Sequence, residues 1–251
     1  MTGIFIVARL GSTRLQQKHL IKVNGKTLIE WLVDRCITAF HGDLLSKKLG
    51  IFIVTSEKPE NKKFEEFFAS HPFVRVFYGA DANIPFRQLQ CAEAYNIKEI
   101  INIDGDDILY STHAAQLVAG CLRNGIECAK TVGLPLGMNV MGYKTSFLRD
   151  AVSKHSQTML ETGWGRIFKE EHVKSLELNA SVSDERLRLT LDYPEDALFF
   201  TKVIEAYPAD ILKADDEDLI NFILKNEFYK LNQSLNDTYW QNFDLQKKNE
   251  G

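Results

Sequence analysis

A chain of 251 residues with a formal net charge of −4 is long enough for one substantial α/β core, and its slight acidic excess argues against a nucleic-acid binder, which carries a basic surplus or patch. Its four cysteines, Cys36, Cys91, Cys121 and Cys128, form no C-x-x-C pair and sit in apolar contexts, so they read as reduced core thiols, not as zinc ligands or a disulfide frame. No apolar run approaches the roughly twenty residues of a membrane span, and Arg9 interrupts the short apolar run after Met1, against a signal peptide. The expectation is a cytoplasmic protein whose partners are neither nucleic acid nor membrane.

Residues 4–8 predict a buried strand that runs into a polar loop carrying Arg9, Gly11, Ser12, Thr13, Arg14 and Lys18. Backbone amides of such a loop, from Ala8 through Leu10 to Thr13 and with no side-chain bulk at Gly11, can point at phosphate oxygens while the three cations neutralise them. In parallel sheets ligands bind at the carboxyl ends of strands, where this loop would sit. Leu28, Ile29, Leu32, Val33, Cys36 and Ile37 then repeat at helical spacing within residues 26–40. Residues 51–54 are too short an apolar run for a helix and read as a strand. Pro59 opens a helix faced by Phe64, Phe67 and Phe68. Residues 74–78 predict a third strand, 84–96 a helix and 99–104 a fourth strand. This alternation implies right-handed crossovers and a mostly parallel sheet covered on both faces.

The second half is less regular. A helix is expected over 112–122, strands over 127–132 and 138–143, and helices over 147–155 and 157–169, the last interrupted by Gly163-Trp164-Gly165. Strands are expected over 174–178 and 187–191. Pro194 opens a helix to Ala206, and 215–225 makes another with acidic residues in its first turn, where the helix dipole favours them. The body reads as one domain over 1–226. The tail, 227–251, either docks through Phe228, Tyr229, Tyr239 and Trp240 or frays.

Two acidic clusters follow predicted strands: Asp104-Gly105-Asp106-Asp107 and Asp192-Tyr193-Pro194-Glu195-Asp196. Mg²⁺ takes one or two carboxylates together with substrate phosphates and water. Asp106 and Asp192 are the expected metal ligands. Asp104 and Asp107 also read as turn formers, and Glu195 and Asp196 as first-turn helix residues.

The segment AR-x-GSTRL-x-x-K-x-L followed by NGKTLIEW resembles the amino-terminal signature of the cytidylyltransferases that activate acidic sugars, the acylneuraminate, 3-deoxy-manno-octulosonate and spore-coat polysaccharide protein F groups. It departs at Gln16-Gln17, where the family has Pro-Gly. NIDGDD and LTLDYPEDALF are similar to the family's two magnesium-binding segments and place the ligands on Asp106 and Asp192. The resemblance further implies a three-layer α/β/α Rossmann-like nucleotidyltransferase fold, catalytic roles for Arg9, Arg14, Lys18 and Asp106, and nucleotide contacts from Thr55, Ser56 and Arg87. It is thin between residues 107 and 186, so the acceptor and dimerisation region falls at about 133–180, with Lys144, Arg166 and His172 as candidates for an acceptor carboxylate. It also implies a homodimer joined through Met138, Met141, Trp164 and Phe168, unless these lie in the chain's own core. The expected reaction is transfer of CMP from CTP to an acidic sugar, with Mg²⁺ as cofactor. Three alternatives stand beside it: a related transferase with another nucleotide or a phosphorylated or phosphonate acceptor, a silent nucleotide-binding homologue, and a Rossmann dehydrogenase. The last lacks a G-x-G-x-x-G after the first strand and is set aside.

Overall fold

The computed structural model describes residues 1–178 and 184–250. Residues 179–180 of the expected acceptor region and Gly251 of the tail therefore lie outside the described residues.

Strand β1 (Thr2–Val7) leads through the cationic loop to a small hairpin, β2 (Lys22–Val23) and β3 (Lys26–Thr27), turned at Asn24-Gly25. Thr27 then starts α1 (Leu28–Leu45) with a reciprocal capping box: its hydroxyl accepts from the Glu30 amide, and the Glu30 carboxylate accepts from the Thr27 amide. There follow β4 (Leu49–Ser56), α2 (Phe64–Phe68), β5 (Val74–Gly79), α3 (Ile84–Ala94), β6 (Glu99–Asp104) and α4 (Thr112–Arg123). The second half adds β7 (Cys128–Val132), β8 (Met141–Lys144), α5 (Thr145–Ser153), β9 (Lys174–Glu177), α6 (Pro194–Ala206), α7 (Asp216–Lys225) and α8 (Asn236–Asn249).

Seven strands form one sheet in the order β5-β4-β1-β6-β8-β7-β9, with β5, β4, β1 and β6 parallel and β8 antiparallel to both neighbours. Because β1 is paired on both edges and covered on both faces, it reads as an unbroken apolar run. Ile4 registers with Ile51 and Ile101, all fully buried, on the face packed by α1, α4, α6 and α7. Phe5 and Phe52 meet edge to face on the opposite side, among side chains of α3 and α5. Each such side chain contributes about 1.5–3 kcal/mol by leaving water. The result is the expected three-layer arrangement with a mostly parallel sheet.

Several expectations are corrected. Residues 157–169 are not a helix: Gly163 takes a left-handed conformation at φ 59° and admits only a 3-10 turn, Trp164–Ile167. Residues 187–191 form no strand of the sheet: Arg188 makes an isolated bridge with Leu136, which itself lies outside the named strands. The strand expected from Met138 starts at Met141, and Pro59 opens a 3-10 turn that runs into α2. The tail is helical: Tyr229 is buried, whereas Trp240 is half exposed. Met138, Trp164 and Phe168 lie in the chain's own core. Among the described residues no helix is long and apolar enough to cross a membrane.

Candidate active site

The site forms where two strand ends are clamped together. Val7 and Asp104 are register partners at the carboxyl ends of β1 and β6. The next residue, Gly105, donates its amide to the Val7 carbonyl at 2.8 Å; a Cβ there would lie 2.7 Å from the Ala8 Cβ, so only glycine lets the loop cross so close. Asp106 is thereby laid over the cationic loop. A second clamp brings in the late segment: the Leu191 amide donates to the Asp106 carbonyl at 2.9 Å, and the Leu189 amide to the Leu136 carbonyl at 2.8 Å. Gly137, at φ 89°, permits that approach, since a Cβ would fall 2.1 Å from the Leu189 carbonyl oxygen. Asp106 and Asp192 therefore face one another across 86 positions of sequence because backbone bonds hold them there.

Cations fill the space between them. Lys18, 5 % exposed, places Nζ 2.7 Å from Asp106 Oδ2 and 3.3 Å from Asp192 Oδ1. Arg14 Nη2 donates to Asp192 Oδ1 at 2.6 Å, and its guanidinium lies 5.2 Å from the Tyr193 ring centroid. His19 Nε2 donates to Asp106 Oδ1 at 2.9 Å. Enclosure by protein alone would raise the Asp106 pKa, but Lys18 and His19 more than offset it and hold the carboxyl well below the usual range. Arg14 is likewise desolvated, yet Asp192 keeps its pKa above the ordinary value. Asp104 and Asp107 go the other way. Enclosure and the neighbouring carboxylates push Asp104 up to about 6 and Asp107 well above its ordinary value.

These groups line one cavity of about 510 Å³, a size suited to a small-molecule site. Of the residues expected from sequence, Ala8, Arg9, Ser12, Arg14, Lys18, Arg87, Asp106 and Asp192 line it. Arg9 pairs with Glu161 at its edge. Arg87, 2 % exposed, has Nε and Nη1 buried without hydrogen-bond partners, and burial brings its pKa down to about 10, so it stays charged near neutrality. Leu10, Gly11 and Thr13 lie in the loop but off the cavity lining; the Leu10 amide donates to Asn61 Oδ1. Thr55 and Ser56 are buried behind it, with Ser56 Oγ accepting from Asn61 Nδ2.

The expected acceptor residues separate. Arg166 stands behind the cavity wall, donating to the Thr162 carbonyl at 3.1 Å. Lys144 does not approach the site: antiparallel β8 pairs it with Glu99, at the opposite end of β6 from Asp104, and its Nζ donates to the Gly125 carbonyl. His172 is exposed in a 3-10 turn beside Glu171.

Other residues of the site escaped sequence reasoning. His19 follows Lys18 and carried no separate signal. Asp104 is the open end of a hydrogen-bonded chain that starts in the core: Tyr143 Oη donates to Gln88 Oε1 (2.5 Å), Gln88 Nε2 to Asn102 Oδ1 (2.6 Å), and Asn102 Nδ2 to Asp104 Oδ1 (3.2 Å). Arg188, fully buried, donates to Asp196 Oδ1 at 2.9 Å and Asp192 Oδ2 at 3.1 Å, so it positions the carboxylate from behind. Asp196, read as a first-turn residue, also accepts from the amides of Asp192 and Tyr193. Helix α8 contributes Tyr239, Phe243 and Gln246 to the cavity; their i, i+4, i+7 spacing was the available signal.

The donor set fits a hard divalent cation. Asp106, just past the end of β6, and Asp192, on the segment clamped against it, each place an oxygen near the one Lys18 ammonium, so the two carboxylates converge on a single cationic point. Among the described residues no group of three or more His, Cys, Asp or Glu is placed to hold an ion unaided. An ion there would draw further ligands from phosphate and water.

A mostly parallel sheet with a cationic loop after its first strand, facing one aspartate past the end of β6 and another on the segment clamped beside it, is the architecture of a nucleotide-handling α/β enzyme. The model of the cytidylyltransferase family matches residues 4–207, and the chain belongs to that family. An uncharacterized protein of Methanocaldococcus jannaschii is 27 % identical over 236 residues, covering 88 % of this chain and 89 % of its own. A cytidylyltransferase from Leptospira borgpetersenii serovar Hardjo-bovis superposes with a TM-score of 0.77 at 24 % identity, over 91 % of this chain and 95 % of that one. The CMP:2-keto-3-deoxy-manno-octonic acid synthetase solved in complex with CTP gives a TM-score of 0.58 at 12 % identity, over 81 % and 98 % of the two chains.

Proposed function

We propose that this cytidylyltransferase transfers CMP from CTP to a small acidic sugar and releases pyrophosphate, for surface polysaccharide or glycan synthesis. The observation that carries the reading is the convergence of Arg14 and Lys18 on Asp106 and Asp192 within one cavity that also holds the unpaired guanidinium of Arg87. The acceptor hydroxyl oxygen forms a bond to the α-phosphorus as that phosphorus loses its bond to the bridging oxygen; the electron pair leaves with pyrophosphate and the hydroxyl proton passes to water. Arg9, Arg14 and Lys18 stabilise the charge that gathers on the departing group; Arg87, in the same cavity, meets the nucleotide. Such chemistry is positioning and electrostatics and requires no nucleophilic side chain. Mg²⁺ held by Asp106 and Asp192 would supply charge neutralisation at the reacting phosphate.

The test is pyrophosphate release from CTP across a panel of sugar acids, with and without Mg²⁺. Asp106→Asn is expected to lose about 10²–10³ in rate while remaining folded by circular dichroism. Wild-type turnover in that variant removes Asp106 from the mechanism. Turnover with phosphorylated acceptors alone, or with another nucleoside triphosphate, replaces the substrate assignment while leaving the transferase chemistry in place.

A further inference from the structure

One wall of the cavity is made by α8, and that wall ends on a carboxylate. Tyr239, Phe243 and Gln246 turn one stripe of the helix into the cavity. One turn further on, the Glu250 carboxylate accepts from the Thr162 amide at 2.8 and 3.0 Å and from the Glu161 amide at 3.2 Å. Arg166 Nη2 lies 3.6 Å away, and only 7 % of the Glu250 side chain is exposed. Two convergent amides and a guanidinium make a carboxylate receptor.

The receptor is firm and incompletely filled. Its backbone is tied to the start of α3 by the Ile84 amide on the Leu160 carbonyl at 3.0 Å and the Leu160 amide on the Ala82 carbonyl at 2.7 Å. Arg166 Nη2 is buried without a hydrogen bond, because 3.6 Å is too long for one. Glu161 and Thr162 line the same cavity as Asp106 and Asp192. The occupant is held more loosely: no residue of α8 is fully buried. It is attached by Asn242 Nδ2 to Tyr193 Oη at 2.9 Å, part-buried, by Thr162 Oγ1 to Gln246 Oε1 at 3.2 Å, exposed, by Tyr239 over the Arg188 guanidinium and by Phe243 beside Gly163. A firm receptor whose occupant is carried by a helix with no buried residue favours exchange.

We propose that the Glu161 and Thr162 amides with Arg166 are the subsite for the acceptor's carboxylate, and that Glu250 occupies it until an acceptor carboxylate takes its place. The inference rests on the acidic-acceptor reading above. It makes α8 a selective cover: a neutral sugar cannot replace Glu250, whereas an acid can. Apparent acceptor affinity is then reduced by the fraction of molecules in which Glu250 is seated.

The experiment uses the full chain, CTP and Mg²⁺, with N-acetylneuraminate and 3-deoxy-manno-octulosonate as acidic probes and N-acetylmannosamine as the neutral control. Initial rates of pyrophosphate release are combined with amide hydrogen exchange of α8. In wild type the acids should accelerate exchange over α8 and the neutral sugar should not. In Glu250→Gln that exchange should be fast without ligand, and the KM for acid should fall about tenfold, the weight of one charge-assisted hydrogen bond, with the KM for CTP unmoved. Arg166→Gln should raise the acid KM about tenfold in both backgrounds. Acid turnover with α8 exchange and acid KM alike in wild type and Glu250→Gln overturns the inference and leaves the sugar-acid reading standing. Absence of acid binding and turnover in wild type and Glu250→Gln alike overturns both.

Discussion

Replacing Arg188 by methionine removes the buried charge that holds Asp192 from behind. The guanidinium is fully buried, with Nε 2.9 Å from Asp196 Oδ1 and Nη2 3.1 Å from Asp192 Oδ2 and 3.2 Å from Asp196 Oδ2. Methionine preserves much of the apolar stem but leaves Asp196 a buried carboxylate with neutral donors only: the amides of Asp192 and Tyr193 and Asn232 Nδ2. Asp192 retains Arg14 and Lys18, so the loss falls mainly on Asp196. Breaking one side of such a pair costs about 3–5 kcal/mol, which in a chain of this size lowers Tm by roughly 6–20 °C. Adding Asp196→Asn to the Arg188→Met variant removes the stranded charge and should return part of the loss, a coupling of about 1–3 kcal/mol. Urea unfolding of wild type, both single variants and the double variant, at constant slope, measures it. Strictly additive losses, or an Arg188→Met loss below about 1 kcal/mol, would refute the reasoning.

Three further outcomes follow from the same structure. Burial pushes the Cys36 and Cys128 thiols up to about 12, so the folded state favours their neutral forms; stability should be unaffected by them below about pH 8.5 and fall as pH rises from there toward 12. Iodoacetamide titration at pH 8 should accordingly modify half-buried Cys121 first, with Cys36, Cys91 and Cys128 reacting only on unfolding; fast alkylation of Cys36 in the native state would contradict this. Lys144→Ala and His172→Ala should each change the acceptor KM less than about twofold, since neither lines the cavity, and a tenfold rise in steady-state assays would return them to the site.

The first half of the fold was legible because β1, β4 and β6 are covered on both faces and so read as bare apolar runs between turn residues. The cationic loop and Asp106 were legible because their chemistry is local to a strand end, and Asp192 because its Asp-x-Pro-Glu-Asp segment opens α6. The second half resisted for nameable reasons. Residues 187–191 alternate apolar and polar as a half-solvated strand would, yet Arg188 is buried by its ion pairs and Thr190 turns into the cavity. Residues 157–169 carry helix-forming side chains, but the left-handed turn at Gly163 outweighs them. Helix α8 hid because its sequence is mostly polar, and its few aromatics pack on a site assembled from distant segments. Lys144 misled because the reversal of β8, a tertiary choice, sends it to the wrong edge of the sheet.

The pairing of Lys18 with Asp192 spans 174 positions, and Asn232 ties the approach to α8 onto the Arg188 carbonyl and the Asp196 carboxylate. A nascent chain can pair β1, β4, β5 and β6 long before those partners are synthesised, but the phosphate-handling centre waits for nearly the whole polypeptide. Loop closure over such separations is slow. Early intermediates should therefore hold a finished half-sheet with its acidic and basic termini still unmatched, and the last event of folding should also be the onset of activity.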